Sequence, residues 1–461
     1  MTRSGLALAL ALLLSLVGGA EVAHAAQKWT VKGKVMVEHL LPELISMHGA
    51  KSGLPGVIVK VSARSKIPLG WGTWNSWGQM TTGPDGSFQV SENHGGDRRQ
   101  FKVQVLFDSD RLRLKEGKET AILKWDSNGF PLGLEFDLTD KDWFEVHNEK
   151  EGPAEDGRKA GVINLGNIVI KMGMARKLAD LWVLYDQVFD HLASYGPAYA
   201  FKNKLAVKYP MKIGKISYAN PLTNNVLIHE NDFDSRTVIH EAFHIYLYER
   251  SHGEDAMAWQ AIKHGDTHQP RENTTFVPHQ EAFAEWASYK ILREISDGKL
   301  DNFEGSYAYK HPHNPLSRSY IAEALDKSEQ SVANVDYTER GWHSLFNILT
   351  YAYLDRLDFN QHLSVIGDDG KLETWDHYAF VHLFKSCSEM RLGYSFKDVL
   401  GIYLPHPSQG VESYMRTGDM NFRTYLARAS AILPGFDKED VRRVKLYLNP
   451  SATKNPCDLT G

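Results

Sequence analysis

The segment from His240 to His244 reads His-Glu-Ala-Phe-His and has the residue types and spacing of a zinc site. On an α-helix, two histidines four residues apart lie one turn above each other, so both imidazoles can face one ion. Glu241 lies beside them and can serve as a base. The same pattern also fits an ordinary amphipathic helix with two surface histidines, so the rest of the chain has to supply the remaining ligand.

A hydrolytic zinc site needs a third protein ligand, with the fourth position left to water. The metzincin pattern is excluded, because Leu247 and Arg250 stand where it requires a glycine and a third histidine. The next candidate is Glu281, which is followed by Glu285 one helical turn later. Glu281 can ligate the metal, and Glu285 can accept the N–H of a ligating histidine and fix its tautomer. Aromatic residues flank both carboxylates, which predicts a buried helix face rather than a solvated acidic one.

Other third ligands remain open, because the segment 251–278 between the two candidate helices is long and polar. Its residues of metal-binding type are His252, Glu254, Asp255, His264, Asp266 and His268. Any of these could take the place of Glu281, or the segment could simply be a polar loop.

Hydrophobic periodicity predicts the elements that position these residues. Helices are predicted at 235–250, 279–296 and 338–356, and strands at 204–209 and 225–229. The second strand leads directly into the helix of His240, and an extended substrate could pair with its backbone. We therefore expect residues 172–461 to form an α+β domain that is mainly helical.

The stretch 26–171 has a different pattern, in which short segments alternate polar and apolar residues. Strands are predicted at 30–37, 56–62, 87–90, 100–106 and 162–171. This pattern predicts an all-β domain. The strings GLPGVIVKVSA, TGPDGSFQV and VINLGNIVIK resemble the transthyretin-like β-sandwich found beside many secreted bacterial enzymes and carboxypeptidases. The resemblance implies an accessory sandwich and no particular ligand.

Charge and targeting signals narrow the class of protein. The chain has 57 acidic and 52 basic residues without long runs of one sign, so neither nucleic acid nor an anionic membrane is indicated as a partner. Residues 1–25 have the basic, apolar and small-residue order of a secretory signal peptide, and no later apolar segment predicts stable membrane insertion. We expect a secreted or periplasmic protein. Cys387 and Cys457 are its only cysteines, and they could form one disulfide or remain two buried thiols.

The order of a strand, the HEAFH helix and the sequence HQEAFAEW at 279–286 resembles the gluzincin peptidases, in which a downstream glutamate completes the zinc site. The run ISYANPLTNNVLIHENDFDSRTVIHEAFH resembles their active-site edge strand and zinc helix. The resemblance implies a Zn²⁺ cofactor and a peptide or protein substrate. It implies these roles: metal ligands His240, His244 and Glu281, general base Glu241, and Glu285 as the acid behind a ligand. The interval between His244 and Glu281 is longer than in the best-known members.

The resemblance also implies that a Tyr or His from a later helix stabilises the oxyanion of the reaction. The candidates are Tyr337 and His343. Tyr337 stands four residues before Gly341, whereas the aminopeptidase N group of gluzincins has a tyrosine three residues before its glycine. The GAMEN motif of those aminopeptidases is missing from this sequence, which favours endopeptidase action.

A non-catalytic function is the alternative. Trp71, Trp74 and Trp77 lie close together in the β-rich region and could form a glycan-binding platform in a secreted adhesion or carbohydrate-binding protein. Core or interdomain packing would also explain these three residues. Glu241 favours the peptidase, because a scaffold has no use for a base between two histidines.

Overall fold

A computed structural model describes part of the chain, and the structural statements below concern that part. The described residues are 27–67, 70–71, 73–94, 99–115, 145–146, 162–171, 173–211, 216–220, 223–252, 276–296, 342, 345–346, 349–350, 364–366, 372–374, 393–416 and 420–448. The predicted signal peptide, both cysteines, Tyr337 and His343 lie outside these residues.

The chain divides into two compact units, an N-terminal β-rich unit and a second unit that contains the later helices. The first unit consists of the described residues within Met1–Val37, Ser52–Leu106 and Glu135–Ile170. The second consists of those within Glu38–Lys51, Phe107–Leu134 and Lys171–Gly461. The predicted order of a β-rich region followed by helices is therefore observed.

Two sheets make up the described part of the first unit. In one sheet, β1 (Gln27–Glu38) is parallel to β10 (Val162–Ile170), antiparallel to β6 (Ser87–His94) and adjacent to β2 (Lys51–Gly53). In the other, β3 (Ile58–Ile67) is antiparallel to β4 (Gly70–Trp71), β5 (Asn75–Thr81) and β7 (Arg99–Leu106), and β7 pairs with β9 (Glu145–Val146). The long strands agree with the alternating pattern of the sequence.

Alternate side chains of these strands form the core of the first unit, as a period of two requires. The fully buried residues include Val31, Val35, Val59 and Val61. Trp77 on β5 is also buried, with 5% of its surface exposed. The prediction that Trp77 belongs to an exposed glycan-binding platform is therefore wrong. Its indole packs inside the unit and cannot stack on a glycan. Trp74 is half-buried, and of Trp71 only the backbone is described.

A four-stranded sheet lies in the second unit. Its strands are β8 (Leu112–Lys115), β11 (Leu205–Met211), β12 (Tyr218–Asn220) and β13 (Asn225–His229). Their order is β12-β13-β11-β8. The pair β12 and β13 is antiparallel, and the other two pairs are parallel.

This sheet differs from the sequence-based expectations in two ways. β13 matches the predicted strand 225–229, but residues 225–227 are paired with β11 on one side and with β12 on the other, so a substrate cannot add to this part of the strand. Among the described residues, β12 is the outer strand on that side. β8 lies inside the stretch 26–171, yet its backbone pairs with β11 of the second unit. Pairing between segments so far apart in sequence leaves no local pattern to predict it.

Seven α-helices are found in the described part of the second unit. They are α1 (Pro42–His48), α2 (Gly173–Ser194), α3 (Ser235–Glu249), α4 (Phe276–Ile295), α5 (Phe396–Gly401), α6 (Phe422–Ile432) and α7 (Lys438–Leu448). Two small pairs of strands accompany them, β14 (Ser251–His252) with β17 (Met415–Arg416) and β15 (Ser364–Ile366) with β16 (Leu372–Thr374). None of the described helices is long and apolar enough to cross a membrane.

Helices α3 and α4 confirm two of the predicted helices, 235–250 and 279–296. Within the third predicted helix, 338–356, the described residues are helical: Trp342, Leu345, Phe346, Leu349 and Thr350. Asp234 caps the start of α3, because its carboxylate accepts a hydrogen bond of 2.8 Å from the backbone N–H of Thr237. α3 packs against β12, β13 and α4, so its position is fixed by the sheet and by the second helix.

Asp180 on α2 is expected to be a main determinant of the stability of the second unit. Its fully buried carboxylate accepts hydrogen bonds from His39 Nδ1 (2.8 Å) and from the backbone N–H groups of Leu40 (2.5 Å) and Leu41 (2.9 Å). Asp180→Ala removes the acceptor of three donors, of which those of His39 and Leu41 are buried, so we expect the free energy of unfolding to fall by about 3 kcal/mol or more in urea denaturation. Asp190→Ala is the control. Asp190 is exposed and paired with Arg111, and its loss should cost less than about 1 kcal/mol. Equal losses would contradict this role.

Candidate metal centre

His240 and His244 lie one turn apart on α3 and face each other at their Nε2 atoms. The two Nε2 atoms are 3.0 Å apart, and the rings are nearly perpendicular. The spacing of four residues brings both rings to one face of the helix, as predicted. Each side chain is about one eighth exposed, with 14% for His240 and 13% for His244.

Glu281 on α4 supplies a carboxylate at the same point. Its Oε2 atom lies 3.4 Å from the Nε2 atom of His240 and 3.4 Å from that of His244. In a tetrahedral zinc site with bonds of about 2.0–2.2 Å, two donors are about 3.3 Å apart. The three donor atoms therefore form a group that can hold a metal ion.

The electrostatics of the group favour a charged Glu281. Burial opposes ionisation of this carboxyl, but the two histidines outweigh that effect and hold its pKa well below its ordinary value. A carboxylate that stays charged in a buried position is a ready ligand for a cation. The donor set of two imidazoles and one carboxylate is one that zinc accepts, with one position left open.

Glu285 lies one turn after Glu281 on α4 and faces the other side of His240. Its Oε2 atom is 3.7 Å from His240 Nδ1, which is longer than a hydrogen bond but adjacent to the ring nitrogen that does not face Glu281. Arg236 forms an ion pair with the same carboxylate. Sequence reasoning missed Arg236, because only its contact with Glu285 in the structure distinguishes it from other basic residues at helix starts.

Glu241 follows His240 on α3 and is 7% exposed. On an α-helix, the side chains of Glu241 and His244 point in directions about 60° apart around the helix axis, so Glu241 lies beside the face that carries the histidines. Burial and, to a smaller extent, the charge of Glu241 raise the pKa of Tyr185 on α2 well above its ordinary value. The Tyr185 hydroxyl donates to the backbone carbonyl of Val238 at 2.9 Å, which ties α2 to α3.

None of the other candidate site residues is described at this group. Tyr337 and His343 lie outside those residues, and so do most of the alternative ligands in the segment 251–278. Only the backbone of His252 is described there, in β14. His279 is near in sequence, but it is fully buried among aromatic rings and its Nε2 atom is 2.9 Å from the Tyr403 hydroxyl. Burial lowers the pKa of His279 to about 3, so this ring is neutral and structural.

An aromatic cluster holds α3 and α4 together behind the polar group. Phe243 of α3 contacts Phe283 of α4 edge to face, with ring centroids 6.1 Å apart. Trp286 is fully buried and lies 5.2 Å from Phe396, measured between ring centroids. These contacts fix the two helices relative to each other, so the polar residues on their facing sides are held in register.

A scan of the chain against protein-family models finds no match, and a search of curated proteins finds none either.

Proposed function

We propose that the protein is a zinc-dependent peptidase of the gluzincin type, in which His240, His244 and Glu281 hold the ion and Glu241 is the general base. The observation that carries this proposal is the convergence of the three donor atoms, which are 3.0 to 3.4 Å apart on two packed helices. The proposal includes the signal peptide and the transthyretin-like character of the first unit, and both rest on sequence patterns.

A zinc ion at this site would lower the pKa of a coordinated water to about 7 and polarise a peptide carbonyl. The Nε2 atoms of both histidines must be unprotonated to serve as ligands. Glu241 takes a proton from the attacking water onto its carboxylate and passes it to the nitrogen of the leaving amine. Its position between the two ligating histidines supports this role.

The outer edge of β12 offers a binding site for the backbone of the substrate. β12 is the last strand of its sheet among the described residues, and it packs against α3. An extended peptide could add to this edge through main-chain hydrogen bonds, which would bring a peptide bond alongside the zinc helix. Such binding suits an endopeptidase, because it requires no free terminus.

Metal removal tests the proposal. The purified protein is expected to contain about one zinc ion per chain and to hydrolyse a denatured protein such as casein. Treatment with 1,10-phenanthroline should abolish hydrolysis, and added Zn²⁺ should restore it. The non-chelating isomer 1,7-phenanthroline is the control and should have no effect. Hydrolysis that persists in metal-free protein, or zinc-loaded protein without hydrolysis, would overturn the proposal.

A further inference from the structure

Arg236 lies at the start of α3, one turn before His240, and its guanidinium meets the carboxylate of Glu285. Nε donates to Oε2 at 3.0 Å, and Nη2 pairs with Oε1. The two side chains are 25% and 13% exposed, so the pair is shielded from most of the solvent. A guanidinium that contacts both oxygens fixes the plane of a carboxylate as well as its place.

The oxygen that Arg236 Nε contacts is also the Glu285 oxygen that lies beside His240. Glu285 Oε2 lies 3.7 Å from His240 Nδ1, while the Nε2 atom of the same ring lies 3.4 Å from Glu281. A carboxylate beside Nδ1 favours the tautomer with its proton on that nitrogen, which leaves the lone pair of Nε2 for a metal. Arg236 therefore holds in place the carboxylate that lies beside Nδ1 of His240.

Side chains from the two helices alternate along one line. Arg236, His240 and His244 follow one another at intervals of one turn on α3, and Glu285 and Glu281 stand between them on α4. The two glutamates are like charges four residues apart on one helix, a spacing that is unfavourable without a compensating cation. In metal-free protein, Arg236 supplies a fixed cation at one end of this line.

We propose that Arg236 is a positioning residue of the metal centre, which acts through Glu285 on the orientation and tautomer of His240. The inference rests on the metal site proposed above. An arginine suits the position better than a lysine, because only its planar fork can contact both carboxylate oxygens at once. Removal of Arg236 leaves all three metal ligands present but takes away the guanidinium that contacts both oxygens of Glu285.

Co²⁺ is the probe for this role, since its visible absorption reports the geometry of its ligands. The dissociation constant of Co²⁺ is measured by competition with a chromophoric chelator for wild type, Arg236→Gln, Arg236→Lys, Glu285→Gln and the double variant Arg236→Gln/Glu285→Gln. We expect Arg236→Gln to weaken Co²⁺ binding about 10-fold and to alter the absorption spectrum. Arg236→Lys should recover only part of the affinity.

The double variant separates positioning from simple support of the fold. If Arg236 acts through Glu285, then Arg236→Gln should cost nothing further in the Glu285→Gln background. Arg111→Gln is the matched control, because Arg111 also pairs with carboxylates of its unit, Asp186 and Asp190, and should leave Co²⁺ affinity unchanged.

Each failure has a separate signature. Wild-type protein that does not bind Co²⁺ contradicts the metal site itself. Wild-type affinity and spectrum in Arg236→Gln, or additive losses in the double variant, overturn the role of Arg236. If Arg236→Gln does not fold, as judged by circular dichroism, Arg236→Lys decides the matter, and wild-type affinity in that variant overturns the proposal.

Discussion

Replacement of Glu241 by glutamine is expected to lower the rate of peptide hydrolysis by about 10²- to 10⁴-fold while zinc stays bound. The amide has nearly the shape of the carboxylate but cannot accept the proton of the attacking water. None of the three proposed ligands is changed, so the zinc content should remain at about one ion per chain. The measurement is kcat for a fluorogenic peptide, together with metal analysis of the same preparation.

The control for this variant is Glu230→Gln, which makes the same change of charge at an exposed position just before α3. It should keep both the rate and the zinc. A Glu241→Gln protein that retains zinc and full activity would exclude Glu241 as the base. Loss of zinc together with activity would instead mean that Glu241 contributes to metal binding, which the proposed ligand set does not include.

The local elements of the second unit could be predicted from the sequence because their patterns are strong. The helix at 235–250 corresponds to Ser235–Glu249, and the strand at 225–229 is β13 itself. Contacts between distant segments were not predictable. β8 joins β11 across about ninety residues, and α1 is attached through Asp180 of α2. β12 was missed because three residues are too short to show an alternating pattern.

In the candidate site, too, local features could be predicted from the sequence and contacts between distant segments could not. The spacing of His240 and His244 on one helix is a local property, so the sequence sufficed for it. The closeness of Glu281 depends on the packing of α3 against α4, which buried aromatic residues such as Phe243 and Phe283 determine. Because the sequence does not reveal this packing, residues of the long segment between the two helices remained possible third ligands. Arg236 was overlooked because a single basic residue at a helix start is usually solvated, and only its contact with Glu285 distinguishes it.

Replacement of Glu281 by alanine is expected to weaken zinc binding by more than about 100-fold, because it removes a ligand rather than a residue behind one. The effect can be measured as stability. At a free zinc concentration 1,000 times the wild-type Kd, zinc should stabilise the wild type by about 4 kcal/mol. The same zinc concentration should stabilise a variant with 100-fold weaker binding by only about 1.4 kcal/mol. Urea denaturation with and without zinc gives both values.

Glu294→Ala is the matched control for this variant. Glu294 lies on the same helix, but its carboxylate contacts His191 of α2 and Tyr195 just after α2, and neither residue belongs to the metal group. Its loss lowers the stability of the protein with and without zinc by the same amount, so the zinc-dependent difference should stay at about 4 kcal/mol. If Glu281→Ala instead keeps the full zinc effect, the third ligand must come from another residue. The histidines and acids of the segment 251–278 would then be the next to test by single substitution.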